Sequence, residues 1–183
     1  MRPISVVASF DPRVAYRQYA LLRFSEALRN WATWPPNPSP TFFNTQLGVP
    51  GKRHQARELA LKVLFQLENR DEDAAEVLAY HAADSGAPDD VASFAADLVK
   101  GVLANREQLD DTIRAAATNW TLEQMAKVDR IILRIAIYEI TISRNVPVKA
   151  AINESIELAK TFSGDESGRF VNGILGRVAE GVA

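Results

Sequence analysis

Cysteine is missing altogether from these 183 residues. Its absence excludes a disulfide framework, a thiolate zinc site and a cysteine nucleophile together, and it fits a reducing cytoplasm. No apolar run approaches the roughly 18 residues that a membrane helix needs. There are no paired segments of alternating polarity joined by an Asn-Gly or Asp-Gly hairpin turn, and no repeat on the scale of solenoid units. No Gly-rich phosphate loop is present. What remains is 47% hydrophobic and 24% charged, enough apolar residues for a proper core in a soluble chain.

The formal net charge of -2 hides an asymmetry. Residues 1–51 hold Arg2, Arg13, Arg17, Arg23 and Arg29 against Asp11 and Glu26, leaving an acidic balance for residues 52–183. An acidic nucleic-acid binder must gather its cations in one place, and the cluster to inspect is Lys52–Arg57. The first 51 residues also differ in pattern. Leu21, Phe24, Leu28 and Trp31 recur at helical spacing, and then Pro35-Pro36-Asn37-Pro38-Ser39-Pro40 breaks any helix and reads as a linker.

From Arg53 onward the periodicity is helical. A first helix runs from about 52 to 69, with Ala56, Leu59, Ala60, Val63, Leu64 and Leu67 on one face. A second covers roughly 71–84, a third follows Pro88, and a fourth holds Leu109, Ile113 and Ala117. Thr121-Leu122-Glu123-Gln124 has the form of a capping box. A fifth helix, about 126–143, is apolar nearly all round, which places it centrally. Pro147 opens a sixth that runs to about Phe162. Gly164 stops it, and Asp165 caps a seventh over roughly 166–179. The expected fold is all-α: a compact bundle of about seven helices preceded by an N-terminal extension.

Three stretches carry a family likeness. Lys52-Arg53-His54-Gln55-Ala56-Arg57-Glu58-Leu59-Ala60-Leu61 resembles the basic opening helix of the NusB family. Val128-Asp129-Arg130-Ile131-Ile132-Leu133-Arg134-Ile135-Ala136-Ile137-Tyr138-Glu139 is similar to its central segment. Val146-Pro147-Val148-Lys149-Ala150-Ala151-Ile152-Asn153-Glu154-Ser155-Ile156-Glu157-Leu158-Ala159-Lys160, continued by Phe170-Val171-Asn172-Gly173-Ile174-Leu175, resembles its C-terminal part. The likeness covers about 52–180 and not 1–51. It implies two packed three-helix sub-bundles and a cytoplasmic, non-catalytic antitermination factor without a cofactor. Such a factor pairs with NusE, a small-subunit ribosomal protein, and binds boxA-type single-stranded RNA of nascent ribosomal RNA transcripts. It acts on the RNA polymerase elongation complex alongside other Nus factors. No membrane is implied, and a homodimer stays open because some relatives self-associate. A bundle of this type also begins ribosomal-RNA cytosine methyltransferases, but those need a catalytic cysteine.

By that resemblance the RNA-binding candidates are Lys52, Arg53, His54, Arg57, Phe65, Glu166, Arg169 and Phe170. Cations reach phosphates, while aromatic rings stack on bases. Each has a plainer reading: a solvated helix terminus for the cations, a core aromatic for each Phe, first-turn dipole stabilisation for Glu166. Asp129 and Arg130 fall where the family meets NusE, or else form an internal ion pair. Asn153 and Glu154 read as hydrogen-bonding within the bundle. His54 and Glu58 share a helix face, but two ligands make no metal site. The second function class is a partner-only helical module that binds no RNA.

Because the likeness starts at Lys52, residues 1–51 are expected to stand outside the functional domain, with translation starting near Val49. The rivals are an amphipathic extension that docks on the bundle or on a membrane surface, and an organellar transit peptide.

Overall fold

Apolar positions three and four residues apart resolve into seven helices among the described residues, 51–68 and 70–181 of a computed structural model. The expectations for residues 1–50 lie outside the described residues. The helices are α1 (Lys52–Leu67), α2 (Ala74–Ser85), α3 (Asp89–Ala104), α4 (Arg106–Ala116), α5 (Lys127–Ile137), α6 (Val148–Ser163) and α7 (Asp165–Glu180). No strand occurs among the described residues.

Local chemistry sets the ends. Helix α2 starts three residues later than periodicity suggests, because Asp73 accepts hydrogen bonds from the backbone N–H groups of Ala75 and Glu76, at 2.8 and 3.0 Å. The Thr121 N–H donates to Gln124 Oε1 at 3.0 Å, half of the expected box. It closes a turn ahead of α5 and does not cap a helix directly. Gly164 ends α6 as expected, at φ 99° and ψ 177°, where a side chain would be strained. Its N–H donates to the carbonyls of Ala159 and Lys160. Asp165 was expected to cap α7. It is instead the first residue inside the helix, where its charge and that of Glu166 favour the dipole.

Helices α1, α2 and α3 pack on one another, and α4, α5, α6 and α7 form a second group. Helix α5 also touches α1 and α3, so it joins the two. Ile131, Ile132, Leu133, Ile135, Ala136 and Ile137 are each 0–1% exposed, as befits a helix with neighbours on all sides. Helix α2 contributes little to the core: Val77 is its one buried residue.

The last expected turns of α5 are present but wider, as a π-helical segment over Tyr138–Ser143. Its first residue explains a glycine on α3. A Cβ on Gly101 would lie 2.0 Å from Tyr138 Cζ, so the ring occupies the space a side chain would need. Gly101→Ala is therefore expected to cost about 1–3 kcal/mol by overpacking. Chemical denaturation checks this, and an unchanged midpoint would show that the ring withdraws freely.

Candidate nucleic-acid interface

The expected cationic cluster stands at the head of α1, wedged against α3, the π-helical segment and α6. Its members are not equivalent. Lys52 Nζ lies 2.6 Å from Asp90 Oδ2 at the start of α3. His54 Nδ1 lies 2.8 Å from Glu154 Oε2 on α6. Arg57 is 2% exposed, and its Nε and Nη2 donate to the two oxygens of Glu139, both at 2.8 Å. Glu154 adds a further contact to Arg57 Nη1 at 3.7 Å. Only Arg53 has no carboxylate: its guanidinium lies 5.5 Å above the Phe94 ring and reaches the Asn145 carbonyl at 3.5 Å. The cluster is thus largely neutralised from within. The expectation that Arg57 contacts RNA is corrected, because a buried guanidinium clamped by a buried carboxylate cannot meet a phosphate.

Of the aromatic candidates, Phe65 lies near the opposite end of α1, a helix about 24 Å long by its rise per residue, and Phe170 lies on α7. Phe65 is partly buried, with Lys127 Nζ 4.0 Å from its ring centroid. Phe170, also partly buried, meets Trp120 edge to face at 5.2 Å and 66°. Glu166 and Arg169 pair with each other on exposed α7 surface at 3.2 Å. The eight expected residues therefore fall on different elements. Lys52, Arg53 and His54 crowd the head of α1, Phe65 lies near its foot, and Glu166, Arg169 and Phe170 stand on α7.

Asp129 is fully buried (0% exposed), which corrects its assignment to a rim facing a partner. Arg130 donates to the Leu122 carbonyl at 2.7 Å and to Glu68 at 2.9 Å, so its reach is also spent inside the protein. Asn153 is exposed on α6 and does not join the bundle as expected, whereas Glu154 does. Glu58 pairs with Lys62 at 2.7 Å instead of sharing a ligand with His54. Among the described residues no group of His, Asp and Glu is arranged to hold a metal.

Sequence reasoning missed an ionic network at the foot of α1. Glu68 receives Arg106, Arg130 and Arg134 at 3.3, 2.9 and 3.0 Å. Arg134 also forks onto Asp110 at 2.6 and 2.9 Å. Burial pushes the Glu68 carboxyl upward, but Arg134, Arg130 and Arg106 together hold it below its ordinary value. Burial likewise works against the Arg134 charge, and the bond to Asp110 and the Glu68 charge override it upward. A signal was available, since Arg134 and Glu139 are lone charges in an apolar run. A buried charge is tolerated only when paired.

The architecture is that of a small all-helical bundle that presents cations and partly buried rings near its surface. The chain belongs to the NusB family, whose profile matches residues 54–180. It is 46% identical over 127 residues to the transcription antitermination protein NusB of Heliobacterium modesticaldum, covering 69% of this chain and 62% of that one. The match thus spans less than two thirds of that relative's length. The NusB of an Anaeromyxobacter species is 45% identical over 132 residues, covering 72% of this chain and 92% of its own. Among solved structures, T. maritima NusB is 35% identical with a TM-score of 0.65, covering 73% of this chain and 93% of that one. A chain from a crystal of the antitermination factors NusB and NusE with dsRNA has a TM-score of 0.66, over 71% and 97% of the two chains. At 22% identity it speaks to the fold alone.

Proposed function

We propose that this chain is a transcription antitermination factor. It binds boxA-type single-stranded RNA of nascent ribosomal RNA transcripts together with a NusE-type ribosomal protein, in the cytoplasm and without catalysis. The observation that carries the RNA reading is an open cation together with partly buried rings. An exposed, carboxylate-free Arg53 stands at the head of α1, the Phe65 ring lies near its foot, and the Phe170 ring stands on α7 against Trp120. The cation suits a phosphate and the rings suit bases. Relatives carrying the antitermination name support the role. The surface that meets NusE is left to other residues than Asp129, given its burial.

Titration of a boxA-type RNA, with and without NusE and at several salt concentrations, tests this. Log affinity is expected to fall linearly with log salt, by about 0.7 per phosphate contact for a single strand. Phe170→Ala is expected to cost about 1–3 kcal/mol of RNA affinity, read beside its denaturation midpoint so that stacking and folding are separated. A flat salt response would remove the phosphate contacts from the account. The neutralised cluster favours one rival reading, a module that binds only its protein partner. NusE binding with no RNA dependence would select it.

A further inference from the structure

The turn between the π-helical segment and α6 presents a second cation beside Arg53. Arg144 is exposed and has a positive φ of 52°, the one non-glycine residue among the described residues to do so. It terminates the segment by donating its backbone N–H to the Glu139 carbonyl at 2.9 Å. Glycine does this without the Cβ penalty and is the usual residue at such a helix end. An arginine is thus kept where the backbone disfavours one, and such an outlier points to a use for the side chain. Its Nε reaches the Thr141 carbonyl at 3.1 Å. The bond uses Nε alone and leaves the terminal nitrogens of an exposed guanidinium without a carboxylate. The next residue, Asn145, supplies the carbonyl that Arg53 approaches at 3.5 Å. Val146 is buried, which anchors the turn, and Lys149 is exposed in the first turn of α6.

We infer that Arg53, Arg144 and Lys149, and not Lys52, His54 or Arg57, form the phosphate-contacting surface, with Arg144 held in a left-handed conformation to deliver its charge beside Arg53. This rests on the RNA reading above. Three carboxylate-free cations from the head of α1 and the adjoining turn make a surface that follows a nucleic-acid backbone and carries no base specificity.

The test titrates a boxA-type RNA and a scrambled RNA of equal length against the full chain and its Arg144→Gly, Arg144→Lys and Lys149→Ala variants, well below their thermal midpoints. Arg144→Gly and Lys149→Ala are each expected to weaken both RNAs alike and to flatten the salt slope by about 0.7, the value of one single-strand contact. Arg144→Lys keeps the charge and should keep the slope. Unchanged slopes in Arg144→Gly and Lys149→Ala, beside wild-type binding that depends on salt, overturn this inference and leave the RNA reading standing. So does loss of NusE binding in these variants with RNA binding intact. A wild-type chain that binds neither RNA overturns the RNA reading itself.

Discussion

Arg57→Ala is expected to destabilise the fold by about 3–5 kcal/mol, whereas Arg53→Ala, one turn earlier, should change stability by no more than about 1 kcal/mol. The two arginines share a helix and a charge, and differ in what surrounds them. Removing the Arg57 side chain strands the Glu139 carboxylate, 1% exposed, with its principal partner gone. A buried charge without its counter-ion pays its desolvation in full. Removing the exposed Arg53 side chain empties a place over the Phe94 ring, where a cation–π contact is worth about 0.5–1 kcal/mol and water takes over readily. Binding should show the reverse order. Arg53→Ala weakens RNA and flattens its salt dependence, while the folded fraction of Arg57→Ala binds as the wild type does. Urea denaturation and RNA titration of both variants check this. If Arg57→Ala keeps its midpoint and loses RNA, Arg57 is a phosphate ligand after all.

Arg134→Ala is expected to be as damaging, about 3–5 kcal/mol, because it removes the fork on Asp110 and the two-pronged support of Glu68 at once. It should also change how the protein responds to acid. The Glu68 carboxyl is held below its ordinary 4.5 in the folded chain, so the folded state binds fewer protons there than the unfolded state does. Its stabilisation is therefore complete above about pH 4.5. It is lost progressively as pH falls below that value and through the lower folded pKa. In Arg134→Ala the depression of that pKa is relieved, and the variant's stability should fall less steeply below pH 4.5. Denaturation midpoints measured across that range read the difference. An identical acid dependence in the two proteins would detach Glu68 from Arg134.

Much of the fold is legible before any coordinates. Helix periodicity is a property of neighbouring residues, so the seven segments, the central place of Ile131–Ile137 and the stop at Gly164 follow from the order of residues alone. Boundaries shift where a side chain intervenes, as Asp73 does for α2. The family, too, is carried by contiguous motifs, and it lies in the sequence.

What tertiary structure decided is which of the singled-out side chains are available. Lys52, His54 and Arg57 look alike in sequence as a run of positive charge. Their fates depend on Asp90, Glu154 and Glu139, which stand 38, 100 and 82 residues away. Asp129 likewise reads as a surface acid at the start of a helix until packing encloses it. The left-handed turn at Arg144 leaves no mark in composition or spacing, because it follows from how the π-helical segment ends against α6. Periodicity tells which face of a helix is apolar. Whether a charge on that helix meets water, RNA or a carboxylate is set by chain packed against it from far away in the sequence, and only the assembled bundle brings those groups within hydrogen-bonding distance.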